Sequence, residues 1–187
     1  MSVAYAMGTF NDNFFKQSAL LLAGPAGLDD LDAMLFRLKG QLEFPIFVKP
    51  SAGGSSVGVS KAHNADELRD AIKLARAHND TILFEQAVVG REVEVAVLGN
   101  SDPIATLPGE IESCNEIYDY EAKYHSGDAS RLYLEARLPR ETLEEVRGMA
   151  VRAYAALGCA GLARVDFFVE ESGRVLINEV NTIPGFT

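Results

Sequence analysis

The chain has 187 residues, 48% hydrophobic and 24% charged, with 17 basic against 27 acidic side chains and a formal charge of −10. That composition fits a soluble globular protein and excludes a disordered one. So acidic a balance also argues against nucleic acid or an anionic membrane surface as a partner recognised by charge, and leaves few cations to meet any phosphate.

Composition changes near residue 40, which predicts an amino-terminal segment, 1–43, set apart from a domain over 44–187. The first segment holds an apolar run, Ser18–Leu28, bracketed by Asp12 and Lys16 on one side and by Asp29, Asp30 and Asp32 on the other. It is shorter than the roughly 20 residues a membrane-spanning helix needs. The stretch before it is not basic, as a signal peptide would require.

From Phe44 strands and helices mix. Pro45–Lys49 reads as a short buried strand, and residues 50–58, PSAGGSSVG, as turn chemistry throughout. Asn64 followed by Glu67 is a capping-box pattern that opens a helix of about 14 residues, with Leu68, Ile72 and Ala75 on one face. Thr81–Glu85 predicts a strand. Arg91–Leu98 alternates, with Val93, Val95 and Val97 facing one way and Glu92, Glu94 and Ala96 the other. Ile104–Ile111 is expected to be its antiparallel neighbour. Residues 113–130 read as a long polar loop, a length that usually signals function. Pro139 and Arg140 open a helix that runs to about Leu157. Gly161–Val169 and Arg174–Val180 are expected to pair as a hairpin around Glu171, Ser172 and Gly173. Cys114 and Cys159 lack ligand-like spacing, which predicts free buried thiols and a cytoplasmic protein.

The residues that carry chemistry sit at the end of this pattern. If the hairpin forms, Asp166, Glu179 and Asn181 converge at one end, because Glu179 and Asn181 share a strand face. Two carboxylates and an amide oxygen form a hard, all-oxygen set that suits Mg²⁺; ordinary surface charges are the alternative. Arg164 lies on the same face as Asp166 and reads either as an ion-pair partner or as a phosphate or oxyanion contact. Lys49 precedes a glycine–serine loop, Gly53, Gly54, Ser55, Ser56 and Gly58, whose amides can approach phosphate oxygens. A flexible surface turn would have the same composition. The string YDYEAKY, Tyr118–Tyr124, reads as a lid over an anionic ligand or as an exposed loop.

Taken together, FPIFVKPSAGGSSVGVSK, GREVEVAVLGN, PGEI, YDYEAKY, GLARVDFF and NEVNTIPGFT resemble the D-alanine–D-alanine ligases of the ATP-grasp superfamily in order and spacing, from Phe44 to the end. The resemblance implies an α+β fold, an antiparallel sheet with packed helices, in a fragment incomplete at both ends that lacks the family's amino-terminal α/β domain. It implies ATP and D-alanine as substrates, two Mg²⁺ ions for which Mn²⁺ can stand in, and room for a homodimer. Lys49 would contact nucleotide phosphates; Glu85 and the backbone of Gln86–Val88 the adenine; Glu92 the ribose; Lys123 the transferred phosphate. Ser55 and Tyr124 resemble the pair that fastens the lid, and Tyr124 also resembles the form that takes D-alanine rather than D-lactate. Asp166, Glu179 and Asn181 would hold the metals, with Glu179 bridging. Arg164 and the backbone N–H of Gly185 would cradle the oxyanion. Another ATP-grasp carboxylate–amine ligase and a non-catalytic nucleotide-binding remnant are the alternatives. Phe10–Leu22 separately resembles, over a dozen residues, the amino terminus of some major-facilitator transporters, but the aspartates that follow interrupt what would be a membrane helix.

Overall fold

The computed structural model describes residues 20–23, 31–39, 41–51, 57–113 and 130–184. They fall into two compact units, one ending at Ala87 and the other starting at Val88. Among the described residues no helix is long and apolar enough to cross a membrane.

The first unit contains a four-stranded sheet of β1 (Leu20–Ala23), β2 (Ile46–Pro50), β3 (Ser60–Ala62) and β4 (Ile82–Gln86), in the order β1-β4-β2-β3. Its helices are α1 (Leu31–Lys39) and α2 (Ala65–Arg76). Part of the apolar run Ser18–Leu28 is therefore strand: Leu20–Ala23 pairs antiparallel with β4. Met34, Leu38 and Leu42 share one core with Ile46, Val48, Ile82 and Phe84, so residues on both sides of the composition change pack together. The start of α2 follows its sequence. Asn64 is the N-cap, and its side chain accepts from the N–H groups of Asp66 and Glu67. Glu67 returns the contact one residue further out than the usual capping box, accepting from the N–H of His63 at 2.9 Å. Leu68, Ile72 and Ala75 are buried as expected.

The second unit contains a six-stranded sheet: β5 (Arg91–Gly99), β6 (Ile104–Ala105), β7 (Gly109–Ser113), β8 (Ser130–Tyr133), β9 (Gly161–Val169) and β10 (Val175–Asn181). The order is β10-β9-β5-β7-β8, with β6 also on β5, and the pairings are antiparallel. One face is apolar: Val93, Val95, Val97, Ala163, Val165 and Phe167 lie under Val146, Met149, Ala150 and Ala153 of α3 (Arg140–Ala156). Each large side chain of that face contributes roughly 1.5–3 kcal/mol on burial. The alternation read in Arg91–Leu98 and the Gly161–Val169 hairpin is thus the alternation of core against solvent-side face.

Two expectations need correction. Ile104–Ile111 is not one strand but two, β6 and β7, divided at Thr106–Pro108. Pro108 has no N–H for a ladder, and Thr106 replaces ladder pairing by donating its N–H to Ala96 O at 2.9 Å and accepting from Ala96 N–H through its hydroxyl. The loop read over 113–130 is narrower, because Ser113 and Ser130 already pair between β7 and β8; residues 114–129 lie outside the described residues. Cys159 is a free thiol, partly buried, and burial pushes its pKa up. Cys114 is outside the described residues.

Gly90, just before β5, is required by a close backbone approach. A Cβ there would stand 2.7 Å from the carbonyl oxygen of Val169 and 2.9 Å from its carbon, both main-chain atoms of a central strand. Gly90→Ala is expected to cost about 1–3 kcal/mol. A thermal or urea melt checks it, and an unchanged midpoint would show that the strand end moves freely.

Candidate functional site

Directly opposed residues of antiparallel strands point to the same side of a sheet. On the face of the second unit away from α3, the register sets Glu94, Asp166 and Glu179 in one row across β5, β9 and β10. The next row is Ala96, Arg164 and Asn181. All four residues expected in the metal and oxyanion site from this hairpin are therefore neighbours.

A β-bulge creates that juxtaposition. Ile177 is opposite Phe167, but Glu179, not Asn178, is opposite Asp166. The extra residue lets Ile177 and Val180, three apart, both face the core, and turns Glu179 and Asn181 to the other side. With regular pairing Glu179 would have faced Val165 and the core.

Charge on this face is organised around Arg164. Its Nε and Nη2 donate to the two carboxylate oxygens of Asp166, each at 2.7 Å, a bidentate pair. Nε also lies 3.2 Å from an oxygen of Glu94. Donating these hydrogen bonds to Asp166 raises the guanidinium further above its ordinary pKa, so it remains a cation. Burial pushes the Glu94 carboxyl up, the Arg164 charge opposes that shift, and Asp166 adds to it. Asn181 Nδ2 reaches Glu179 Oε1 at 3.5 Å, a contact that does not use the amide oxygen. Among the described residues no three Asp, Glu, His or Cys side chains gather closely enough to hold a metal ion by themselves. The donor set is instead two opposed carboxylates and an amide. All-oxygen and acidic, it fits a Mg²⁺ ion that keeps waters and is completed by phosphate oxygens. Glu92 lies on the same face, opposite Phe168 and Ile111.

In the first unit Lys49 and Glu85 form an ion pair with each other, on the sheet face opposite Val48 and Phe84. Glu85 is 8% exposed. The residues expected at phosphate and adenine are thus partners in the protein itself, and part of the acceptor capacity of Glu85 goes to the lysine. The Gln86 amide is committed as well: it accepts from the N–H of Glu43 at 2.7 Å and donates to the Glu43 carbonyl at 2.8 Å. Ala87 donates its N–H to Pro45 O. Val88 opens the second unit. Ser55, Lys123, Tyr124 and Gly185 lie outside the described residues.

Glu94 is the residue that sequence reasoning left without a role. The signal was present, because the alternation in β5 already placed Glu94 beside Glu92 on the polar face. Only the register with β9 shows that it reaches Arg164.

The model of the family described as "D-ala D-ala ligase C-terminus" matches residues 26–187. The D-alanine–D-alanine ligase of Acetivibrio thermocellus is 52% identical over 159 residues, 84% of this chain and 42% of that protein. The enzyme of the same name from Chlorobium chlorochromatii is 51% identical over 171 residues, 91% of this chain and 46% of its own length. Among solved structures, the VanG D-Ala:D-Ser ligase of Enterococcus faecalis superposes with a TM-score of 0.82 at 35% identity, covering 99% of this chain and 51% of that one. The D-alanine–D-alanine ligase of Coxiella burnetii gives 0.80 at 30% identity, covering 99% and 47%. The chain therefore spans about half the length of the relatives it matches, and its mixed fold with antiparallel sheets is the one found in that half of the solved ligases. With the matched residues spanning most of the sequence, the chain belongs to the family of the D-Ala–D-Ala ligase C-terminus.

Proposed function

We propose that this chain carries the nucleotide- and metal-binding part of an ATP-dependent D-alanine–D-alanine ligase. The carrying observation is the face on which the Asn178 bulge brings Glu179 and Asn181 opposite Asp166 and Arg164. Identity of about half to proteins named for that reaction supports the choice of substrates. The ATP-grasp part is read from about residue 44 onward, with Met34, Leu38 and Leu42 sharing its core.

In the proposed reaction a carboxylate oxygen of the first D-alanine attacks the γ-phosphorus of ATP. The bond to the bridging oxygen breaks, and ADP leaves with that electron pair. The amine of the second D-alanine then attacks the acylphosphate carbonyl, loses a proton, and expels inorganic phosphate to leave the dipeptide, a peptidoglycan precursor. Asp166, Glu179 and the Asn181 amide oxygen would hold Mg²⁺, which neutralises charge on the transferring phosphoryl group. Arg164, fixed as a cation, would offer N–H donors to the oxyanion of the tetrahedral intermediate, with the N–H of Gly185. Lys49, presented by Glu85, would meet nucleotide phosphates. Glu85 and the backbone of Gln86–Val88 would meet the adenine, and Glu92 the ribose. Ser55, Lys123 and Tyr124 are assigned to the lid and transferred phosphate by the family pattern. An ATP requirement fits a cytoplasmic location.

Incubation with ATP and Mg²⁺ is expected to raise the melting temperature, and addition of D-alanine to release ADP and D-alanyl-D-alanine. Parallel reactions with L-alanine, D-serine and D-lactate read the amine and acid classes. No stabilisation by Mg·ATP, or ADP release as fast with L-alanine as with D-alanine, would overturn the reading.

A further inference from the structure

We infer that Glu94 is a positioning residue, whose carboxylate keeps the Arg164 guanidinium in place when Asp166 turns an oxygen to the metal. The inference rests on the reading of Asp166 as a metal ligand.

Asp166 commits both its oxygens to Arg164, at 2.7 Å each. A divalent cation bound through Asp166 draws on the same oxygens, so metal and guanidinium compete for one carboxylate. An arginine released from its only anchor would recover its rotamer freedom and lose its aim. Arg164 has a second anchor: an oxygen of Glu94 lies 3.2 Å from its Nε. Glu94 stands on β5, between β7 and β9. Its neighbour across β7 is Gly109, which has no side chain to compete for the carboxylate.

Two observations separate this role from that of a further metal ligand. The row runs Glu94, Asp166, Glu179, so Glu94 is two strands from Glu179, roughly 9–10 Å at ordinary strand spacing. And these three acids do not form a cluster able to hold an ion, since none with three such groups occurs among the described residues. Glu94 therefore works through the arginine.

The test is a double-mutant cycle on Mn²⁺ affinity, read by the electron paramagnetic resonance signal of free Mn²⁺ in the presence of ADP. Glu94→Gln is expected to weaken Mn²⁺ binding about tenfold, the lower range for groups supporting a metal ligand. In an Arg164→Gln background the same substitution is expected to cost no more than about threefold, because no guanidinium is left to be held. An equal loss in both backgrounds would overturn the inference and make Glu94 a direct contributor to the metal's field. So would no loss in either. Should Glu94→Gln unfold, Glu94→Asp, one methylene shorter, withdraws the carboxylate from Arg164 and reads the same equilibrium. Asp166→Asn is the control for the underlying reading: if it leaves Mn²⁺ affinity unchanged, the metal assignment fails, a result distinct from a flat cycle with a sensitive Asp166.

Discussion

Arg137→Ala is expected to lower the stability of the protein, and by more than Glu110→Ala does. Glu110 on β7 is only 3% exposed, and its carboxylate is met from three directions. Arg137 donates to it through Nη2 at 2.7 Å, Nε at 3.2 Å and the backbone N–H at 2.9 Å, and Arg91 through Nη1 at 3.2 Å. The asymmetry decides the order of the two variants. Both arginine side chains are nearly half exposed, 47% for Arg91 and 43% for Arg137, so without Glu110 they turn to water. Without the Arg137 side chain the buried carboxylate keeps the backbone N–H of residue 137 and the Arg91 guanidinium, but loses its shortest donor, Nη2, and Nε with it. Arg137 also stacks over the Tyr133 ring at 3.8 Å and pairs with Glu112, so its loss removes packing as well as charge. Urea denaturation of the two variants gives the comparison; an Arg137→Ala cost below that of Glu110→Ala would show that Arg91 alone neutralises the site.

The same carboxylate gives a pH dependence. The Arg137 hydrogen bonds hold the Glu110 pKa below its ordinary value of 4.5. A depressed folded-state pKa means stability that is fully present above the unfolded-state pKa. It is lost as pH falls from that value through the lower folded one. The wild type is therefore expected to lose stability in that acid window with a steeper slope than Arg137→Ala, in which the depression is largely gone. Parallel slopes below pH 4.5 would place the acid-sensitive group elsewhere.

What the residues disclosed in order, and what they withheld, follows from the range of the interactions involved. Val93, Val95 and Val97 announce β5 because the signal lies within one strand, and Asn64 announces α2 because a cap is closed within three residues. β1 was hidden: Leu20–Ala23 is uniformly apolar, and such a run reads equally as strand, helix or leader until its partner β4 is known. That Met34 and Leu38 share a core with Phe84 is likewise a long-range fact. At the candidate site the acids were visible as residue types, and their shared face followed from spacing by two. The second partner of Arg164 was not, since Glu94 lies far away in sequence and meets it only through the β5–β9 register. The bulge left a trace, the three-residue spacing of Ile177 and Val180, which an unbroken alternation cannot bury.

Glu179→Gln is expected to reduce turnover in the proposed ligation by about 10²–10³-fold, the scale for losing one group that stabilises a transition state. The substitution keeps the size of the side chain and its place opposite Asp166, so the bulge and the core beneath it have no reason to change. What it removes is a negative charge at the point where a cation must be held against the phosphates. Glu179 is exposed; its hydrogen-bond contact is the long one to Asn181, and its charge acts on Arg164 less than that of Asp166 does. The melting temperature without ligand is expected to stay close to that of the wild type, while the rise produced by Mg·ATP is lost. Glu171→Gln, a charge removed from the exposed turn between β9 and β10, should leave both unchanged. Equal turnover by Glu179→Gln and the wild type would remove Glu179 from the metal site, and the Asn178 bulge would then need another reason for turning a carboxylate away from the core.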